Sequence, residues 1–195
     1  ITNPDHLVRE LFTHKGHGTL IQMGMSIKSY DGFNGVDVRR LGELLESSFG
    51  RLLLLGYFDR TDVVKVYAAE DYSAAAVVTT GACAPYLDKF AVTPQAQGAG
   101  VGSSLWSRLV SDHPSLIWRS RAENPINPWY FERATGTMRT GKWVVFWRGV
   151  HDARMIEIGV KETLARTESF APKAENVRVV ETKQSQGSID HAAAH

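Results

Sequence analysis

Apolar residues recur at helical intervals in some stretches of the chain and cluster as short strand-forming runs in others. Val38, Leu41, Leu44, Leu45 and Phe49 form one stripe that Gly50 closes, which predicts a helix over 37–49. Val101, Leu105 and Leu109 return every four residues and predict a second helix over 101–111; a terminal helix is expected over 153–166. The runs 63–69 and 74–80 read as strands joined by Glu70-Asp71-Tyr72-Ser73, a hairpin that leads to a third strand over 86–93. Three antiparallel strands therefore precede a turn carrying Gly98, Gly100 and Gly102. Beyond the second helix, Asp112-His113-Pro114 breaks the pattern ahead of a short strand over 115–121, and 143–147 is a further strand. Pro128 suits the first turn of a helix with Asn127 as its N-cap. Near the start, Leu7, Val8, Leu11 and Phe12 have helical spacing; Lys15-Gly-His-Gly18 interrupts them before a possible strand over 19–27.

Composition narrows the class. The 195 residues suffice for one domain of ordinary size without staples. Cys83 is the single cysteine, which excludes an intrachain disulfide and a zinc site built on several thiolates. No metal is expected, and His191 and His195 read as solvated. A formal net charge of +1 argues against a nucleic-acid partner. No apolar run approaches the ~20 residues that span a bilayer, so no membrane association is expected. Charge is nevertheless uneven: Arg108, Arg119, Arg121, Arg133, Arg139, Lys142 and Arg148 outnumber Asp112, Glu123 and Glu132, so that half favours anionic ligands. The first residue is Ile1, which reads as a piece of a longer polypeptide. From 171 onward the chain turns polar and loses periodicity, as expected of a loosely held tail.

The glycine turn is a candidate anion site. At a helix start, backbone N–H groups lack intrahelical partners and the dipole presents its positive end, so a phosphate is bound without a charged side chain. Taken alone, the same glycines serve equally well as a tight turn. A dinucleotide fingerprint needs an acidic ribose ligand about 20 residues on; Trp118-Arg-Ser-Arg121 stands there instead. In that strand the period of two places Arg119 and Arg121 on one face, with Trp118 and Ser120 on the other.

The order of elements resembles the GNAT N-acetyltransferase fold, an α/β (α+β) arrangement in which helices flank a mixed, mostly antiparallel central sheet. Gln95-Ala-Gln-Gly98-Ala-Gly100 matches its acetyl-CoA signature. Tyr86-Leu-Asp-Lys-Phe90, Trp118-Arg-Ser-Arg121, Asn124-Pro-Ile-Asn-Pro-Trp-Tyr-Phe131, Ser48-Phe-Gly-Arg51 and Lys142-Trp-Val-Val-Phe-Trp147 are similar to the acetyltransferase domain of N-acetylglutamate synthases of the vertebrate type and of bacterial bifunctional synthase/kinases. The resemblance covers about 18–150. It implies residues 1–17 as a connector from an N-terminal amino-acid kinase domain, 18–170 as the acetyltransferase domain and 171–195 as the tail. It further implies a homo-oligomer, in a bacterial cytoplasm or a mitochondrial matrix.

Carried onto this chain, the resemblance implies acetyl transfer from acetyl-CoA to L-glutamate through a ternary complex. Gln97, Gly98, Ala99, Gly100, Val101 and Gly102 would cradle the pyrophosphate with their N–H groups. Phe90, Ala91 and Val92 would pair with the pantetheine arm, and the N–H near Val92 would polarise the thioester oxygen. Arg119 is implied as the main glutamate ligand, assisted by Arg51, Lys89 and the backbone near Leu41. Tyr130 would protonate the departing thiolate, and Asn124 would orient the amine or a water. Blander roles stay open: pairing of Arg119 and Arg121 with internal acids such as Asp88 or Glu123, a helix cap for Asn124, a packed aromatic for Tyr130. No general base is singled out. The alternative function is a non-catalytic regulatory module of an acetylglutamate kinase.

Overall fold

The computed structural model describes residues 26–172. Seven strands form one sheet: β1 (Ile27–Asp31), β2 (Val63–Ala69), β3 (Ala74–Thr79), β4 (Tyr86–Val92), β5 (Leu116–Arg121), β6 (Gly136–Thr140) and β7 (Trp143–Arg148). Their order is β1-β2-β3-β4-β5-β7-β6, and every pairing is antiparallel except β4 with β5. Among the described residues four α-helices flank it: α1 (Val38–Phe49), α2 (Val101–Asp112), α3 (Asn127–Phe131) and α4 (Ala153–Ala165).

Local chemistry sets the helix ends. The Asp37 carboxylate accepts from the Arg40 N–H at 3.0 Å, which caps α1. Gly50 closes the helix at φ 59°, in the left-handed region that glycine enters without a Cβ clash. α1 buries Leu41, Leu44 and Leu45 against Val66, Ala68, Val77 and Ala91 on one face of the sheet. Val160 of α4 packs with Tyr86, Ile117 and Val145 on that same face. On the opposite face α2 and α3 cover Tyr67, Val78, Leu87, Phe90, Trp118 and Phe146.

Three elements differ from the sequence pattern. The first described strand is Ile27–Asp31, whereas most of the expected 19–27 strand, and the helix expected before it, lie outside the described residues. β6 pairs along β7 although Gly136-Thr-Met-Arg-Thr140 carries no clear strand alternation; its pairing with β7 defines it. Asn127 is inside α3 rather than at its N-cap: its amide donates to the Arg121 and Ala122 carbonyls at 2.8 and 3.2 Å.

Candidate functional site

β4 and β5 run parallel yet pair only at Tyr86 and Ile117. Beyond that point the strands separate, and the edge of β4 that faces β5 loses its ladder. Backbone direction alternates along a strand, and the Thr93 N–H donates to the Ser73 carbonyl at 2.8 Å on the β3 side. Phe90 and Val92 therefore turn N–H and C=O into the split, while Ala91 turns its backbone toward β3. The sequence placed all three against a pantetheine arm; the alternation removes Ala91, whose side chain is buried under α1.

The split leads to the glycine turn. Thr93 caps the short 3-10 turn Pro94–Ala96, and Gly98 and Gly100 follow at φ 85° and 80°. Gly100 is the N-cap of α2 and supplies no side-chain acceptor. The N–H groups of Val101 and Gly102, in the first turn, have no intrahelical acceptor and are free to meet an anion. A Cβ on Gly102 would stand 3.3 Å from Val92 Cγ2, so the missing side chain brings the helix start close to β4. Two residues of the expected cradle have other work: the Gln97 N–H bonds the Thr93 carbonyl at 3.1 Å, and the Ala99 N–H bonds the Ala96 carbonyl at 3.2 Å.

A second group of residues lines the α1/α4 face at the same end of the sheet. Register shifts between Val77 and Val78, so Asp88 is bulged out of the β3–β4 ladder. The bulge places Asp88 and Lys89 on one side, and Leu87 and Phe90 on the other. Asp88 Oδ2 accepts from Lys89 Nζ at 2.7 Å, the Tyr57 hydroxyl at 2.9 Å and Arg60 at 3.1 Å. Burial by itself would raise the Asp88 pKa, but Lys89 and Arg60 hold it below the ordinary carboxylate value. Burial pushes Lys89 down, with Asp88 opposing. The same burial, with Asp88 nearby, pushes the Tyr57 phenol well up.

Across the split, Arg119 and Arg121 lie on the same face as Lys89. Their guanidinium carbons stand 4.3 and 4.4 Å from the centre of the Trp143 ring, which thereby spaces and orients both. Arg119 donates to the Thr163 carbonyl at 2.8 Å and the Arg166 carbonyl at 2.7 Å, closing the C-terminal end of α4. Arg121 bonds the Glu168 carboxylate at 2.8 Å. Among the described residues neither arginine pairs with Asp88 or Glu123, the internal acids suggested by sequence; Arg121 takes Glu168 instead. Arg51 reaches this place from the end of α1, donating to the Ala171 carbonyl at 2.9 Å and lying 3.3 Å from Glu168 Oε2. At Leu41 the N–H bonds the Asp37 carbonyl and the side chain is fully buried, so of this residue only the carbonyl could face a ligand.

Tyr130 belongs to the opposite face. Its ring packs 5.6 Å from Trp118 and 5.5 Å from Phe146, and burial raises the phenol pKa. Asn124 Oδ1 accepts from the Ile126 N–H at 3.2 Å, so this side chain also organises the turn into α3. Trp143, at the start of β7, is the platform for two arginines; its position opposite Arg121 is fixed by β5–β7 pairing. Glu168, Ser169 and Phe170 carried no motif that placed them at this face.

A family model described as the N-acetyltransferase domain of N-acetylglutamate synthase matches residues 25–166. The chain belongs to this family. An acetylglutamate kinase of Xylella fastidiosa is 41% identical over 157 residues, which cover 80% of this chain and 37% of the relative. A mitochondrial N-acetylglutamate synthase of Danio rerio is 43% identical over 159 residues, covering 79% and 30%. The chain thus spans about a third of the length of these relatives. A GNAT-family acetyltransferase structure from Bacteroides thetaiotaomicron superimposes with a TM-score of 0.57 at 14% identity, over 71% of this chain and 95% of that one, and shows the shared GNAT fold. Among the described residues of this family member, no helix is long and apolar enough to cross a membrane.

Proposed function

We propose that the chain catalyses transfer of the acetyl group of acetyl-CoA to the α-amine of L-glutamate. The observation that carries this reading is the meeting of two features at one end of the sheet. The β4 edge opens at the split, and Lys89, Arg119, Arg121 and Arg51 collect on the face beside it. A dicarboxylic acceptor supplies the anions that such a face selects, since guanidinium groups bind carboxylates in a paired, directional way.

Acetyl-CoA supplies the acetyl group already activated as a thioester. Val101 and Gly102, with Gly98 and Gly100 shaping the approach, would hold its pyrophosphate; Phe90 and Val92 would hold its arm. The Val92 N–H would stabilise charge developing on the thioester oxygen. The arginines and Lys89 would fix the acceptor's carboxylates and leave the amine directed at the split. The neutral α-amine would attack the thioester carbonyl, forming the C–N bond as the C–S bond breaks; Tyr130, kept protonated by burial, would give its proton to the leaving sulfur and regain one from the proton the amine releases, through water. Even a phenol of ordinary pKa about 10 is a weak acid for a thiolate of about 8.5, and burial raises this one further, so placement carries the step.

The test is thiol release with L-glutamate and acetyl-CoA. Glutamate-dependent release by the folded chain is expected. Its absence would reject the synthase reading in favour of a regulatory module. We further propose that the chain works joined to an amino-acid kinase domain, in a homo-oligomer, within the bacterial cytoplasm or mitochondrial matrix. The first of these is supported by the name and greater length of the Xylella relative, and the flanking sequence of the full polypeptide tests it.

A further inference from the structure

The segment 166–171 leaves α4 and crosses the basic face. It is held there as a short antiparallel strand: Leu53 bridges Phe170, the Leu54 N–H donates to the Ser169 carbonyl at 3.0 Å, and the Ala171 N–H donates to the Leu52 carbonyl at 2.8 Å. Phe170 is buried, its ring 4.8 Å from that of Phe49. These contacts are enough to anchor the segment. Glu168 adds something an anchor does not need. Its Oε2 takes Arg121 at 2.8 Å and Arg51 at 3.3 Å, and its Oε1 takes Lys142 at 3.0 Å. The next residue, Ser169, accepts from Lys89 Nζ at 2.6 Å through its hydroxyl.

Arg51, Lys89 and Arg119, the glutamate ligands inferred above, are thus engaged with the segment 166–171: Arg51 by the Glu168 carboxylate, Lys89 by the Ser169 hydroxyl and Arg119 by the Arg166 carbonyl. We propose that 166–171 is an autoinhibitory strap in which Glu168 occupies the place of an acceptor carboxylate, so that L-glutamate binds by displacing it. This rests on the reading of the face as the acceptor site. Glu168 remains about 30% exposed, so its ion pairs are individually weak and can exchange partners. Displacement of Glu168 lifts the strap with Ser169 and Phe170 and releases the Leu54 and Ala171 N–H groups from their acceptors. Exchange of one carboxylate for another leaves the cations neutralised throughout, and no buried charge is stranded.

The test uses the full chain. L-glutamate binding is measured by calorimetry for the wild type and Glu168→Gln, and amide hydrogen exchange is followed over 166–171 in the wild type with and without L-glutamate. Removing a competitor raises apparent affinity by the inverse of the open fraction, on the order of tenfold for a strap closed most of the time. Faster exchange in the strap on adding glutamate, together with tighter binding by Glu168→Gln, is the expected result. If glutamate binds while strap protection is unchanged, or if Glu168→Gln binds no more tightly than wild type, the strap is overturned and the acceptor site stands. If neither protein binds glutamate, both readings fall.

Discussion

Asp88 and Lys89 are consecutive residues of β4, yet their charged ends meet 2.7 Å apart on one face of the sheet. A regular strand would send them to opposite sides. The pair is nearly sealed, with side-chain exposures of 11% and 4%. Removing one partner of such a pair strands the other, at a cost of about 3–5 kcal/mol. Asp88→Asn should therefore lower unfolding free energy by about that much in urea titrations. A loss within experimental error would mean that the cluster is solvated.

Arg119 has two duties, on the C-terminal carbonyls of α4 and, in the proposed reaction, on the acceptor. Arg119→Ala removes charge-assisted contacts of roughly 1.5–3 kcal/mol. Stability should drop through the freed carbonyls, and glutamate affinity should drop about 10- to 150-fold. Steady-state kinetics at a temperature where the variant stays folded separates the two losses. Unchanged KM and kcat for glutamate would remove Arg119 from the acceptor site.

Tyr130→Phe keeps the ring contacts with Trp118 and Phe146 and deletes only the hydroxyl. Its kcat should fall by about 100-fold or more, the range ascribed to a positioned acid, with acetyl-CoA affinity nearly constant. A variant as active as wild type leaves Tyr130 a packed aromatic.

Gly98 offers a clean probe of the turn, because a Cβ there touches nothing within 4 Å and only φ 85° resists it. Gly98→Ala should cost about 1–2 kcal/mol of backbone strain. Relaxation of that strain would shift the turn, so CoA affinity should weaken while glutamate binding holds. Equal weakening for both ligands would argue that the turn is not specific to the cosubstrate.

Glu168 carries a pH signature. Burial acts to raise its pKa, yet contacts with Lys142, Arg121 and Arg51 bring it below the ordinary glutamate value of 4.5. A depressed acid stabilises the fold fully above its unfolded pKa and loses that contribution as pH falls through the folded value. Side-chain NMR of Glu168 should accordingly show a midpoint below 4.5. A midpoint at or above that value would show that its carboxylate is not held by the three cations.

Much of the scaffold was legible because it rests on local rules. The α1 stripe, its Asp37 and Gly50 ends, the β2–β3 hairpin and the alternation of Arg119 with Ser120 all follow from periodicity and turn chemistry. β6 was not, since its sequence has weak strand character and β7 imposes its pairing. At the candidate site, motif residues pointed to Lys89, Arg119 and the glycines, but not to which backbone groups remain available. Gln97, Ala99, Ala91 and Leu41 look equivalent to their neighbours in sequence; hydrogen bonds already made within the fold set them apart. Glu168 and Trp143 were hidden for another reason. Their roles arise from contacts 117 and 22 positions along the chain, with Arg51 and Arg121, respectively.

The single pairing of Tyr86 with Ile117 also has a mechanical meaning. Four strands on one side and three on the other behave as two plates joined at a seam, with the proposed acetyl-transfer site where the seam gapes. An acetyl-CoA arm lying along Phe90 and Val92 would act as a splice, its amides completing a ladder that polypeptide leaves open. Loading the cosubstrate would then stiffen the whole sheet before the acceptor arrives, and its departure as CoA would slacken it again.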